Sequence, residues 1–454
     1  MIPLLVENAL VVGMTSERDV TPGGHVLVEG GVVTALHGEA VARAAQMELS
    51  DRPLERLNAA GMWILPGFVQ THVHLCQTLL RNGPDDLELL PWLSGHVWPG
   101  EAAHDEETLE VSARLGLAEL LSGGTTTVLD MGTVRHTDAV FRAAEALGAR
   151  VTSGNALMDD PSTNPPELLA TTDEALAETE RLARRWHGAG GGRLRVAYCP
   201  RFAVSCTDAL LRLAAERARS DGLLVHTHAS ESRGEVELVK RRTGLDNVAY
   251  LDGAGISGGH VVLAHVIHTT AAERALLRAR GTRVAHCPSS NLKLASGVCP
   301  VPEYLSEGIH VSLGADGAPC NDRLDVFSEM RLAALLPKVR LGPGALRAWD
   351  VVRMATVSGA EALGLEKQIG TIEPGKRADL VLLDPDAGFA LPTSWRDDPY
   401  GPIVYSFDRS HVAAVYVDGE PVYHRTLKPR EALAPRPSEV EDAAGRLRRS
   451  RGAG

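Results

Sequence analysis

Between residues 69 and 314 the chain repeats one alternation. A short apolar run is followed by a longer stretch whose apolar positions recur every three or four residues. The short runs are Val69–His74, Thr125–Met131, Arg150–Ala156, Leu194–Tyr198, Leu223–His228, Val261–His265, Thr282–His286 and His310–Gly314. Their length and apolar character predict buried strands. Between most of them lie Glu106–Leu121, Asp138–Leu147, Asp173–Trp186, Thr207–Arg219, Gly234–Arg242, Thr270–Arg280 and Leu324–Leu336, which carry the helical period. Strands that alternate with helices in this way predict an α/β fold, a (β/α)8 TIM-like barrel. Such barrels place their chemistry at the C-terminal strand ends. His72, His74, Asp130, Asn155, Arg201, His228, His265, His286 and Asp316 all fall there.

The two ends of the chain read differently. Leu4–Val6, Ala9–Val12, His25–Val28 and Val32–Leu36 are short β-like runs separated by turns such as Gly23-Gly24 and Gly30-Gly31. A matching set, Ala378–Leu383, Val412–Val417 and Pro421–Tyr423, appears near the other end. Together they predict a small β-sandwich built from both termini, residues 1–62 and 371–430, around a barrel of residues 63–370. Residues 431–454 are expected to be a solvated tail, with a short helix over Pro437–Arg449 as the ordered alternative.

Bulk properties narrow the partners. The 454 residues carry a formal net charge of −12, which argues against nucleic acid or an anionic membrane surface as the main partner. No apolar run is long enough to span a bilayer, and the N-terminus has no basic region of the signal-peptide kind. Six cysteines without a CxxC pair predict reduced, buried thiols, hence a cytoplasmic protein. A homo-oligomer acting on a small molecule is expected.

The strand ends carry a specific chemistry. His72 and His74 are two residues apart on a strand, so their rings point to one side. His228, His265 and Asp316 end further strands. Imidazoles with a carboxylate suit one Zn2+, with Fe2+ as the other candidate. Such an ion brings the pKa of bound water from about 15.7 to roughly 7. Glu231, three residues after His228, can carry a proton over the site. Asp316 can bind metal and orient water, and His265 can either polarise the atom under attack or bind the metal. His226, His268 and His286 are read as structural.

These elements together resemble the amidohydrolase superfamily over nearly the whole chain, Leu4 to about Tyr423. The resemblance rests on Pro66-Gly67-Phe68 leading into His72-Val73-His74, His228-Ala229-Ser230-Glu231, Leu263-Ala264-His265, Leu313-Gly314-Ala315-Asp316-Gly317 and Glu373-Pro374-Gly375-Lys376-Arg377-Ala378-Asp379-Leu380. No lysine stands at Tyr198-Cys199-Pro200-Arg201, so the chain is similar to the one-metal aminohydrolase branch. Leu79-Leu80-Arg81, Trp92-Leu93, Trp98-Pro99-Gly100-Glu101 and Ser290-Asn291-Leu292-Lys293 resemble the 5′-deoxyadenosine, methylthioadenosine and S-adenosylhomocysteine deaminases. The resemblance implies metal ligation by His72, His74, His228 and Asp316, and hydroxide attack at C6 with release of ammonia. Glu231 would be the proton shuttle and His265 would contact the tetrahedral centre. Asp316 would take the water's proton. Glu101 would bind ribose hydroxyls and Trp92 would pack on the ligand.

Three positions depart from that subgroup. Arg201-Phe202 and Gln77 are similar to guanine deaminases, in which the Arg contacts a purine oxygen. Asn155 stands where homocysteine-binding members have a basic residue, which leaves Arg201 to meet a carboxylate. Guanine- or pterin-type deamination and s-triazine amino- or chlorohydrolysis are therefore the alternatives to an adenosine-type substrate.

Overall fold

The computed structural model describes residues 1–387, 398–426 and 434–452. Its centre is a ten-stranded parallel sheet that curls into a barrel, α/β in class. The main strands in chain order are Phe68–His74, Thr125–Asp130, Arg150–Ser153, Leu194–Pro200, Leu224–Ala229, Val261–His265, Arg283–His286 and Val311–Leu313. Two short pieces, Ala156–Leu157 and Asp316–Gly317, extend the third and eighth. Closure falls between the last strand and the first. There Thr71 donates to the Leu313 carbonyl at 3.1 Å and its hydroxyl meets that of Ser312 at 2.7 Å. The backbones come so close that a Cβ on Gly314 would lie 2.6 Å from the His72 carbonyl oxygen, so only glycine fits.

The helices between strands start and stop where their local chemistry dictates. Thr171, Thr207, Ser232 and Thr270 cap the N-termini of Thr172–Trp186, Asp208–Asp221, Arg233–Thr243 and Ala271–Arg280 with side-chain oxygens. Left-handed glycines at 222, 244 and 281 end the last three. With both faces of the sheet covered, nearly every strand residue is buried.

The terminal segments form one hydrogen-bonded sheet of eight strands. Leu4–Val12, at its middle, pairs with Val20–Glu29 on one side and with Glu55–Asn58 and then Trp63–Pro66 on the other. The C-terminal strands Leu380–Leu383, Val412–Val417 and Glu420–His424 continue it from Trp63–Pro66. A 13-residue helix, His37–Leu49, packs Ala40, Ala44 and Met47 onto Leu5, Leu27 and Ala35. The β-pattern reading of residues 1–60 did not include it. Its apolar stripe is mostly alanine, which carries little hydrophobic signal.

Arg150, 2% exposed, joins this sheet to the barrel. It donates two hydrogen bonds to Asp379 (2.8 and 2.9 Å) and one to Asp418 (2.7 Å).

The C-terminal tail is helical over Pro437–Gly452 and is docked rather than solvated. Ala443 and Leu447 are buried, and Arg446 pairs with Glu107 at 2.7 Å and with Asp105. The polar composition hid a narrow apolar stripe that lies against Glu106–Ser122.

Candidate active site

His72, His74 and His228 have their protonation fixed from behind, whereas His286 Nδ1 is buried without a partner. His74 Nδ1 donates to the Met131 carbonyl at 2.9 Å, and His228 Nδ1 to the Arg201 carbonyl at 2.6 Å. His226 Nδ1 donates to Val262 O at 3.1 Å, so its Nε2 accepts from His72 Nδ1 at 2.8 Å. A carbonyl can only accept, so in all three outer rings the proton sits on Nδ1 and Nε2 is left as a bare lone pair. Burial lowers the pKa of His72, takes His74 to about 4 and holds His228 well below the ordinary value. All three are therefore neutral.

Those bare nitrogens converge. His74 Nε2 and His228 Nε2 lie 3.1 Å apart with no proton between them. Asp316 Oδ1 is 3.2 Å from His72 Nε2 and 3.4 Å from His74 Nε2. His72 Nε2 is buried without a hydrogen-bond partner. Ligand atoms of His72, His228, His265 and Asp316 all lie within 4.8 Å of one another. Lone pairs turned on one another are stable only around a cation, so the donor set fits a divalent metal.

The carboxylates are tuned oppositely. Burial would raise Asp316; positive charge held among His72, His265 and His74, a ring proton or a bound cation, outweighs it and holds the group well below the carboxylate range. Glu231 is raised well above that range by burial, then by Asp316 and Glu235. One is a standing anion and the other a proton store. Glu231 Oε2 lies 3.5 Å from His265 Nε2. Ser230 turns the chain at φ 51°, and Glu235 accepts from the Glu231 amide at 2.7 Å. His265, Val266 and Asp316 also have left-handed backbones, at φ 70°, 47° and 63°. Such conformations are costly for residues with a Cβ, most of all for β-branched valine, and gather at functional sites.

Above these groups the pocket is walled by Leu89, Trp92, Leu93, Phe202 and Leu294, with Gln77 and Arg201 as further polar lining. It thus unites His74, His228, Glu231, His265, Asp316, Gln77, Trp92 and Arg201. Two expected substrate contacts are not brought to it. Glu101 is buried and bound by Arg201 (2.7 and 3.1 Å) and by Gln77 Nε2 (2.8 Å). Burial would raise its pKa, and Arg201 overrides that to lower it. Asn155 spends its amide on Ala175 O and the Thr179 hydroxyl. Residues that carry the site from behind were not read as such in the sequence: His226, read there as structural, Asn291, which accepts from His265 Nδ1 at 2.8 Å, and Ser290, which donates to Asp316 at 2.6 Å. Ser290 and Asn291 follow the strand Arg283–His286 and stood in the sequence only as part of a resembling segment, without a role, and His226 lies inside Leu224–Ala229, two residues before His228.

A parallel barrel with neutral imidazoles, one carboxylate and a proton-holding glutamate at its C-terminal mouth defines a metal-dependent hydrolase. The sequence profile described as the Amidohydrolase family matches residues 63–422, and the chain belongs to that family. It is 37% identical to the 5-methylthioadenosine/S-adenosylhomocysteine deaminase of Symbiobacterium thermophilum, over 98% of this chain and 99% of that one. It is 41% identical to the 5'-deoxyadenosine deaminase of Methanothermobacter thermautotrophicus, over 80% of this chain and 82% of the relative. Among solved structures, an adenosine deaminase from Xanthomonas campestris with bound zinc superposes with a TM-score of 0.87 at 31% identity, covering 99% of both chains.

Proposed function

We propose that this protein is a zinc-dependent aminohydrolase of adenosine-type nucleosides, with 5′-deoxyadenosine, methylthioadenosine or S-adenosylhomocysteine as substrate and ammonia as product. The observation that carries the reading is the set of bare Nε2 atoms of His72, His74 and His228 meeting Asp316 beneath the protonated Glu231. The named activities of the relatives support the substrate class. Zinc bound by these four side chains supplies Lewis acidity and brings water within reach of deprotonation near pH 7.

The chain's own groups then divide the proton work. Glu231 gives its proton to a ring nitrogen of the substrate, which makes the adjacent carbon electrophilic. Asp316, kept anionic, accepts one proton of the attacking water and passes it to the departing amine, and the proton of the new hydroxyl returns to Glu231 as the carbonyl forms. His265, fixed by Asn291, turns Nε2 toward the carbon under attack. Trp92, Leu89, Phe202 and Leu294 take the flat faces of the heterocycle and exclude water. The six free cysteines are all buried, which supports a cytoplasmic location, and we extend the reading to a homo-oligomer.

One observation favours a second reading, a guanine-type deaminase. Glu101 has its oxygens engaged by Arg201 and Gln77 instead of offering them to a diol. Gln77 Oε1 has no partner, and the missing Cβ of Gly317 leaves it room. An acceptor beside an arginine suits the amide edge of an oxo-purine. Ammonia release across 5′-deoxyadenosine, methylthioadenosine, S-adenosylhomocysteine, adenosine and guanine decides between them. Turnover of the 5′-modified nucleosides above guanine is expected. Preference for guanine moves the assignment to the second reading.

A further inference from the structure

We propose that Glu329 is a positioning residue for the reaction, acting through the Ser289–Asn291 turn to aim both His265 and Asp316. Glu329 is fully buried on the helix Val326–Leu341, outside the pocket lining. Its carboxyl accepts from the Ser289 amide at 3.1 Å and the Ser289 hydroxyl at 2.5 Å. It also accepts from Asn321 Nδ2 at 2.8 Å, and that same amide nitrogen donates to Ala315 O at 2.7 Å. One carboxyl thus pins two turns, each adjoining a reactive group.

The next two residues of the first turn do the aiming. Ser290 Oγ donates to Asp316 Oδ2 at 2.6 Å, leaving Oδ1 to face His72 and His74. Asn291 Oδ1 accepts from His265 Nδ1 at 2.8 Å, which turns Nε2 toward Glu231 and Asp316. Both targets have left-handed backbones, at φ 70° and 63°, a conformation that persists only where neighbours over-determine it. The second turn, Ala315 held by Asn321, fixes Asp316 from the backbone side. Neither Glu329 nor Ser289 reaches the reacting atoms.

The inference rests on the proposed hydrolytic site, and its test has a readout that does not depend on the substrate. Glu329→Gln, Ser290→Ala and Ser290→Thr are compared with wild type as full-length, zinc-loaded protein. The substrate is whichever compound of the panel the wild type turns over, and zinc retention against a chelator is measured in parallel. Glu329→Gln and Ser290→Ala are expected to lower kcat by about 10–100-fold, with KM within about threefold, and to weaken zinc retention by about tenfold. Ser290→Thr, which keeps the hydroxyl, is expected to restore most of both. Unchanged kcat and zinc retention in the folded variants overturns the proposal, as does a Ser290→Thr protein no better than Ser290→Ala. Should Glu329→Gln not fold, Ser289→Ala, which loses one of the same hydrogen bonds, takes its place with the same expected and contrary results. A wild type that turns over nothing in the panel defeats the proposed function, while zinc retention still decides the role of Glu329.

Discussion

At the scale of single residues the account turns on where protons sit. Glu231 keeps its proton because burial and two neighbouring carboxylates oppose its charge. Glu231→Gln removes the transferable proton while preserving size and hydrogen bonding. The variant is expected to hold zinc and to lose turnover by roughly 10²–10⁴-fold; steady-state kinetics with metal analysis checks both, and normal activity would contradict the role. Glu329 offers a thermodynamic check. Burial pushes its carboxyl up to about 8, above the ordinary 4.5. Across that window the folded chain keeps a proton that the unfolded chain has released. The stabilisation tied to that proton is therefore complete below pH 4.5, declines as pH rises and is lost above about 8. Glu329→Gln should flatten this part of the pH dependence of urea unfolding, and a slope equal to wild type would show that Glu329 does not titrate so. The reactive residues were legible in the sequence because strand period fixes facing and strand ends fix place, as at His72 and His74. Asn291 and Ser290 were not read as supports, because their roles depend on which distant residues the barrel closure brings beside them. Glu101 was read by analogy as free, and its pairing with Arg201 comes from the fourth strand, 100 residues away.

At the scale of elements, strands and helices of the barrel follow the hydrophobic period closely, since both sheet faces are buried and caps mark the helix ends. The C-terminal helix shows where pattern reading runs out. Pro437–Gly452 is too polar to predict burial, yet Leu447 is only 2% exposed. Near its end, Arg451 donates to the His96 carbonyl at 3.2 Å and approaches the His96 ring at 3.0 Å. His96 lies in the π-helical turn Leu93–Val97, directly after Trp92 of the pocket wall. Leu447→Ala is expected to weaken docking of this helix by about 2–5 kcal/mol, as for other buried leucines. Amide exchange should then quicken over Pro437–Gly452 and spread into Leu93–Val97. Exchange confined to wild-type rates would show that the helix is not held by Leu447.

At the scale of the whole molecule, one buried arginine ties the barrel to the sheet shared by both termini. Arg150 satisfies Asp379 and Asp418 at once, and its removal takes the cation from the buried Asp379, while Asp418 keeps Arg193 at 3.5 Å and Arg377 at 3.7 Å. Arg150→Ala is expected to cost about 3–5 kcal/mol in denaturant unfolding; a loss below about 1 kcal/mol would mean that solvent reaches the clamp. This joint was not legible beforehand, because Arg150 begins a strand and reads as a flanking charge. No helix among the described residues is long and apolar enough to cross a membrane. The most direct test of the account is ammonia release from 5′-deoxyadenosine by one preparation, stripped with a chelator and then reloaded with stoichiometric zinc. Activity that vanishes on stripping and returns with one zinc per chain is the predicted result. Turnover that survives stripping, or zinc that binds without any deamination of nucleoside or guanine, would contradict it.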